Sequence, residues 1–145
     1  MNLQEKRDIA SKIAWTYLGT PYVWGGDDPI LGFDCSGFCI EILKSVGILP
    51  KTGDWTAQML WDKFKEKEID TSQAGCLVFW NNSSKTKIVH VEYAINDALS
   101  IGASGGGSAT TSVSAAIAQN AYIKVRPFKS RRNIKGFLDP FLESS

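Results

Sequence analysis

The apolar positions begin with a helical period. Leu3, Ile9, Ile13, Ala14, Tyr17 and Leu18 fall on one mostly hydrophobic face, and charged residues fill the rest. This predicts a first helix over residues 3–18, ended by Gly19. The next stretch, Gly19-Thr20-Pro21-Tyr22-Val23-Trp24-Gly25-Gly26-Asp27-Asp28-Pro29, has no period, and its Gly and Pro content excludes a regular helix. It predicts a long loop over 19–34, and long structured loops in compact domains are often functional. Trp24 reads as a core plug beneath that loop. Helical spacing returns at Phe38, Ile40, Ile42, Leu43 and Val46 and stops at Gly47, which gives a second helix from 35 to 46. Pro50 and Gly53 break the chain. Asp54 or Thr56 then caps a third helix that turns Met59, Leu60 and Phe64 inward and Lys63, Lys65 and Lys67 outward. The Lys/Glu run at 63–68 is a solvated face, and Trp55 and Trp61 read as core residues rather than sugar platforms.

From Gly75 onward the texture is that of strands. Cys76 to Trp80 predicts the first, Asn81-Asn82-Ser83-Ser84-Lys85 a turn, and Ile88 to Ile95 the second. Asn96-Asp97 turns the chain into a third strand at Ala98 to Ala103. Ser104-Gly105-Gly106-Gly107-Ser108 is either a flexible loop or a place where backbone approaches something closely. It is not a phosphate loop, because no Gly-Lys-Ser/Thr follows. Ser112 or Ser114 caps a short helix to about residue 120, Ala121 to Arg126 is a further strand, and Pro127 ends or bends it. Residues 134–142 return Ile134, Phe137, Leu138 and Phe141 to the core. The expectation is one α+β domain over residues 1–145.

Composition narrows the function mainly by exclusion. A length of 145 residues suits one domain with a real core. The net charge of +1 offers no bulk attraction to nucleic acid. No apolar run approaches the roughly 20 residues that span a bilayer, so neither nucleic acid nor membrane is an expected partner. The start, Met1-Asn2-Leu3-Gln4-Glu5-Lys6-Arg7-Asp8, lacks the apolar segment of a signal peptide, which predicts a product made in the cytoplasm without an export signal. Three cysteines, Cys35, Cys39 and Cys76, are too few and odd in number for a disulfide framework. Cys35 and Cys39 share a helix face, but with a single histidine in the chain that is poor zinc chemistry. No metal or cofactor is expected, and Cys39 and Cys76 read as small buried hydrophobes.

Cys35 is different because of where it falls. Asp34 is a good N-cap, so Cys35 opens the second helix, where unpaired backbone N–H groups and the positive end of the dipole favour a thiolate. A thiolate nucleophile needs a base, and the one histidine, His90, sits in the predicted strand Lys87-Ile88-Val89-His90-Val91-Glu92-Tyr93-Ala94-Ile95. A helix-borne Cys packed against a sheet that carries the His is the papain-like arrangement, in which the two form a thiolate–imidazolium pair. Cys35 is then the nucleophile, and His90 the base and later the acid for the leaving amine. The oxyanion falls to the Cys35 backbone N–H and a nearby donor.

With these residues in place, the chain resembles the NlpC/P60 cysteine peptidases. The likeness rests on Leu18-Gly19-Thr20-Pro21-Tyr22-Val23-Trp24-Gly25-Gly26, Gly32-Phe33-Asp34-Cys35-Ser36-Gly37-Phe38, Gly75-Cys76-Leu77-Val78-Phe79-Trp80 and His90-Val91, and covers roughly residues 9 to 104. It implies a papain-like fold, with N-terminal helices carrying the catalytic Cys against a small antiparallel sheet that carries the His. It also implies cleavage of peptidoglycan stem peptides after D-glutamate, by a monomer whose partner is peptidoglycan or a wall-derived peptide. By the same resemblance Tyr22 reaches into the site to hold substrate. Asp34 caps the helix or binds the free amine of the stem peptide, and Ser36 lines the site or merely sits in the first turn. The lack of a signal then suggests a phage or mobile-element lysin, or a cytoplasmic recycler of wall peptides. A papain-like acyltransferase or amidase on another substrate and an inactive wall-binding module are the alternatives.

The sequence departs from the family at two points. The third catalytic member is usually a His, Asn or Gln on the strand after the His strand, and that position falls at or near Gly102, which has no side chain. Glu92, two residues from His90 and so on the same strand face, ranks first as its substitute. Ser100, Ser104 or a backbone carbonyl near Gly102 are the other options. Cys76 stands where the family often has Asp, and reads as packing.

Overall fold

The computed structural model describes residues 1–28, 32–107 and 109–143. The parts of the predicted loops at 29–31 and at 108 lie outside the described residues. Helix α1, Leu3–Thr16, opens with a capping box in which Asn2 accepts from the Glu5 N–H at 2.8 Å. Two short strands, β1 (Asp27–Asp28) and β2 (Gly32–Phe33), pair within the long loop. Helix α2 is Cys35–Ser45 and helix α3 is Ala57–Phe64. There follow β3 (Glu68–Ile69), β4 (Leu77–Asn81), β5 (Ile88–Ala94) and β6 (Leu99–Ser104). Helix α4 (Val113–Ala118), β7 (Tyr122–Pro127) and β8 (Ile134–Leu138) complete the described elements. Strands β3 to β8 form one antiparallel sheet in the order β3-β8-β4-β5-β6-β7. The expected α+β architecture is the one observed.

The sheet is buried on both faces along β4, and its side chains alternate accordingly. Leu77 and Phe79 enter the main core with α2 and α3, whereas Cys76, Val78 and Trp80 belong to a second cluster with Phe128. Alternation on β5 sends Val91 and Tyr93 into the main core. His90 and Glu92 therefore point to the opposite face, where His90 pairs in register with Trp80. Helix α2 lies against β5 and β6 and buries Phe38, Cys39, Ile42 and Leu43 completely. Cys39 and Cys76 are both fully buried, as expected of packing thiols, and burial raises the pKa of each.

Four local expectations need correction. Helix α1 stops at Thr16 and buries Ala10 and Ala14, so the small-residue face meets the core, and Ile9 and Leu18 are exposed. Helix α3 buries Ala57, Leu60 and Phe64; Met59 lies one position off that stripe and is 44% exposed. Trp24 is not a plug beneath the loop but 54% exposed on it. Its backbone is the anchored part, with the Trp24 N–H donating to the Thr110 carbonyl at 2.7 Å. The edge strand β3 was not expected, because two residues give no alternation to read. Trp55 and Trp61 do pack on the core, Trp61 edge-on to Phe79.

The long loop is ordered by borrowed backbone hydrogen bonds. Gly19 N–H donates to Ile123, Tyr22 N–H to Ala121, and Ile123 N–H returns to Thr20, which fastens the loop alongside β7. At its other end Asp34 N–H donates to the Gly26 carbonyl at 2.9 Å, which fixes the approach to α2. Among the described residues, no helix is long and apolar enough to cross a membrane.

Candidate active site

The site grows from the N-terminus of α2. Asp34 is extended and its Oδ1 accepts the Gly37 N–H at 2.7 Å, so it is the N-cap the sequence predicts. Cys35 is thereby the first helical residue. It is partly exposed, in contrast to the other two cysteines. Cys35, Tyr22, Asp34, Ser36, His90 and Ser104 line one cavity of about 470 Å³.

His90 is 5% exposed and hydrogen-bonds through Nε2 to Glu92 Oε2 at 2.6 Å. Its ring lines the same cavity as Cys35, and with Nε2 on Glu92 the ring nitrogen left to serve the thiol is Nδ1. Burial opposes charging of the imidazole. The interaction with Cys35, and the hydrogen bond and charge of Glu92, outweigh that penalty and raise the His90 pKa to about 9. Glu92 is the reciprocal case. Burial would raise its pKa, but the bond and charge of His90, the Ser100 hydroxyl and Arg126 bring it below the ordinary carboxylate value.

Glu92 lies behind the imidazole, away from the cavity, 2% exposed. Ser100 Oγ donates to Glu92 Oε1 at 2.7 Å, and Arg126 Nη2 stands 3.9 Å from Oε2. Of the substitutes weighed for the third position, Glu92 touches the ring, Ser100 supports Glu92, and Ser104 faces the cavity. Gly102 explains why. The pairing of Tyr93 with Ile101 and Ala94 with Ser100 continues to place Gly102 opposite Glu92. A Cβ on Gly102 would lie 2.5 Å from Glu92 Cγ and 2.9 Å from Cδ. The glycine is the space that the carboxylate fills.

Tyr22 forms one wall and is 5% exposed. Its pKa is pushed up to about 12 by burial and by the charges of Cys35 and Asp34, while Arg131 works against the shift. Its hydroxyl is therefore a proton-bearing donor throughout the neutral range. A Cβ on Gly106 would lie 2.3 Å from Tyr22 Cδ1, so the glycine-rich segment serves the close backbone approach that was one of its two readings. Arg131, which also lines the cavity, was missed by sequence reasoning. It sits in a basic run that reads as solvated surface, and no local pattern separates it from its neighbours.

The exposure difference among the cysteines makes a direct test available. Iodoacetamide near neutral pH, followed by peptide mapping, is expected to label Cys35 well before Cys39 or Cys76, which are fully buried. Prior labelling of either buried thiol would contradict the assignment.

The NlpC/P60 family model matches residues 19–127. The chain is 40% identical over 86 residues to the bifunctional muramidase/DL-endopeptidase CwlT of Bacillus subtilis, covering 58% of this chain and 25% of that protein. It is 35% identical over 75 residues to the gamma-D-glutamyl-L-lysine dipeptidyl-peptidase of Bacillus subtilis, covering 51% of this chain and 24% of that one. The chain thus spans about a quarter of the length of either relative. Among solved structures, an NlpC/P60 family protein from Bacillus cereus superposes with a TM-score of 0.73 at 23% identity, over 94% of this chain and 40% of that one. The NlpC/p60 domain of the peptidoglycan hydrolase SagA superposes with a TM-score of 0.57 at 24% identity, over 96% and 99%. These likenesses carry the papain-like fold, and with the matched motif region they show that the chain belongs to the NlpC/P60 family.

Proposed function

We propose that this chain is a cysteine endopeptidase that hydrolyses peptidoglycan stem peptides at the γ-D-glutamyl–diamino acid bond, through a thioester on Cys35. The observation that supports it most is the buried His90–Glu92 pair behind a partly exposed helix-opening thiol. The choice of bond is supported by the names of two relatives, one a DL-endopeptidase and the other a gamma-D-glutamyl-L-lysine dipeptidyl-peptidase.

In this reading the Cys35 thiolate attacks the γ-carbonyl carbon, and the carbonyl oxygen becomes an oxyanion held by the Cys35 backbone N–H at the helix start. The C–N bond breaks as His90 Nδ1–H gives its proton to the leaving amine. A water then attacks the thioester, His90 takes its proton, and the thiolate leaves. Glu92 stays ionised and keeps the ring fixed, so the same nitrogen faces the sulfur in both halves.

Mass spectrometry of purified peptidoglycan incubated with the protein tests the reading. Released stem-peptide fragments with a new C-terminal D-glutamate and a new diamino acid amine are the expected products. Acyl groups transferred to an amine acceptor would support an acyltransferase instead. Binding to the wall with no product at all would make the chain a binding module.

A further inference from the structure

On the β5 side the catalytic cavity meets a second cavity of about 250 Å³, and Gln58 and Ile88 line both. Gln58 is the sill between them. Its Oε1 accepts the Ile88 N–H at 3.2 Å, and its Nε2 donates to Asp62 Oδ1 at 3.1 Å. Three distant segments build the second cavity. Lys65 follows α3, Lys85 and Lys87 stand on the turn between β4 and β5, and Lys135 lies on β8. Trp61 also lines it, half-buried, with the Lys135 ammonium 5.3 Å from its ring centroid. The direction of the chemistry decides which part of a substrate this cavity meets. The leaving amine takes its proton from His90, so the leaving half lies on the side of the imidazole, and the second cavity opens two residues along the same strand.

The charge of that lining is one-sided. Four lysines stand against one aspartate, and Asp62 is itself occupied by Gln58. Among the described residues none of the four lysines makes an ion pair with a carboxylate. The whole chain carries a net charge of only +1, so the excess is local to this cavity. Gathered like charges repel one another, and a cleft lined by one sign of charge concentrates ligands of the other. Lysine ammonium groups on flexible stems can converge on one anion. The leaving half of a stem peptide has carboxylates to offer. A diaminopimelyl side chain ends in one, beside its ammonium, and a following D-alanine ends in another. An L-lysine side chain in the same place would bring a further ammonium into a cationic cleft.

We propose that this lysine-lined cavity is a carboxylate site for the leaving half of the substrate, so that the chain selects stem peptides that keep a free carboxylate beyond the scissile bond. The inference rests on the hydrolase reading above. Two carboxylates share the required chemistry, that of a diaminopimelyl side chain and that of the D-alanine C-terminus. Amidation of the one that is used, or its loss in a cross-link, removes the charge the lysines receive. Lys65, Lys85, Lys87 and Lys135 are then specificity residues that act on binding, and the proton transfers at Cys35 and His90 are unchanged by them.

The test measures kcat/KM of the intact chain on L-Ala-γ-D-Glu-meso-diaminopimelyl-D-Ala and on two relatives of equal size. One carries its side-chain carboxylate as the amide, the other its C-terminal carboxylate as the amide. The free acid is expected to be cut about tenfold faster than at least one amide at low ionic strength, mainly through KM, and salt should shrink the ratio because exposed charges are screened. The amide that is cut slowly identifies which carboxylate the site takes. Lys87→Glu with Lys135→Glu, both exposed positions, should bring the ratio to about one. Acid and amide are read on the same protein, so a partial loss of fold does not imitate that change. Equal cleavage of all three peptides overturns the carboxylate site and leaves the hydrolase standing, as does faster cleavage of both amides. A ratio unchanged in the double variant overturns the assignment to these lysines. Cleavage of none of the peptides overturns the proposal together with the hydrolase reading.

Discussion

Cys35→Ser is expected to abolish turnover on peptidoglycan, by about 10⁴-fold or more on the scale of other nucleophile removals. It should also move the titration of His90. The two effects have one cause. A serine hydroxyl does not ionise beside the imidazole, so the electrostatic support that Cys35 gives to the protonated ring disappears. The swap is close to isosteric and the residue is only partly buried, so the fold should be kept. With Glu92 still in contact, the His90 pKa is expected to settle between 6.5 and the native value of about 9. NMR titration of the one histidine reads this without interference. An unshifted His90 in the Cys35→Ser protein would show that thiol and ring do not interact.

The sign of the pH dependence follows from the same shift. The folded-state His90 pKa of about 9 lies above the ordinary 6.5, so its contribution to stability is fully present below 6.5. That contribution is lost as pH rises through 9. The activity should share this alkaline limit, because the leaving amine needs the protonated ring.

Much of the site was legible because it rests on local chemistry. An N-cap before a helix start, a lone histidine in a strand and the i, i+2 relation of His90 to Glu92 can all be read along the chain. Trp24 and Met59 were misplaced because burial depends on what packs above a loop or beside a helix, and no periodicity records that. Arg131 and the second cavity were not legible, since they depend on distant segments meeting. Gly102 lies between these cases. The hairpin turn at Asn96-Asp97 implies a register, and that register sets Gly102 against Glu92. Considered alone, the glycine looked like a missing residue. Considered with its cross-strand partner, it is the reason the partner fits.

That pairing makes the strongest test of the relay. Glu92→Gln keeps an acceptor for the ring but removes the charge that helps hold His90 protonated. It is expected to lower kcat/KM by about ten- to a thousandfold and to lower the His90 pKa. A profile that overlays the native one would remove Glu92 from the mechanism. Gly102→Asn should be damaging for a different reason, because its Cβ would collide with Glu92 Cγ, a buried atom tethered by bonds to His90 and Ser100. Each single change alone is therefore costly: Glu92→Ala takes away the orienting group, and Gly102→Asn displaces it. Together they need not add. With Glu92 cut back to alanine, the space opposite position 102 opens, and an asparagine amide there can accept from the imidazole across the strands, from the position the family ordinarily uses. The double variant is expected to exceed both single variants in kcat/KM while keeping a His90 pKa below native, since a neutral amide supplies orientation without charge. A double variant no more active than Gly102→Asn alone would mean that position 102 cannot take over, and that the carboxylate on the histidine strand is indispensable for more than its place.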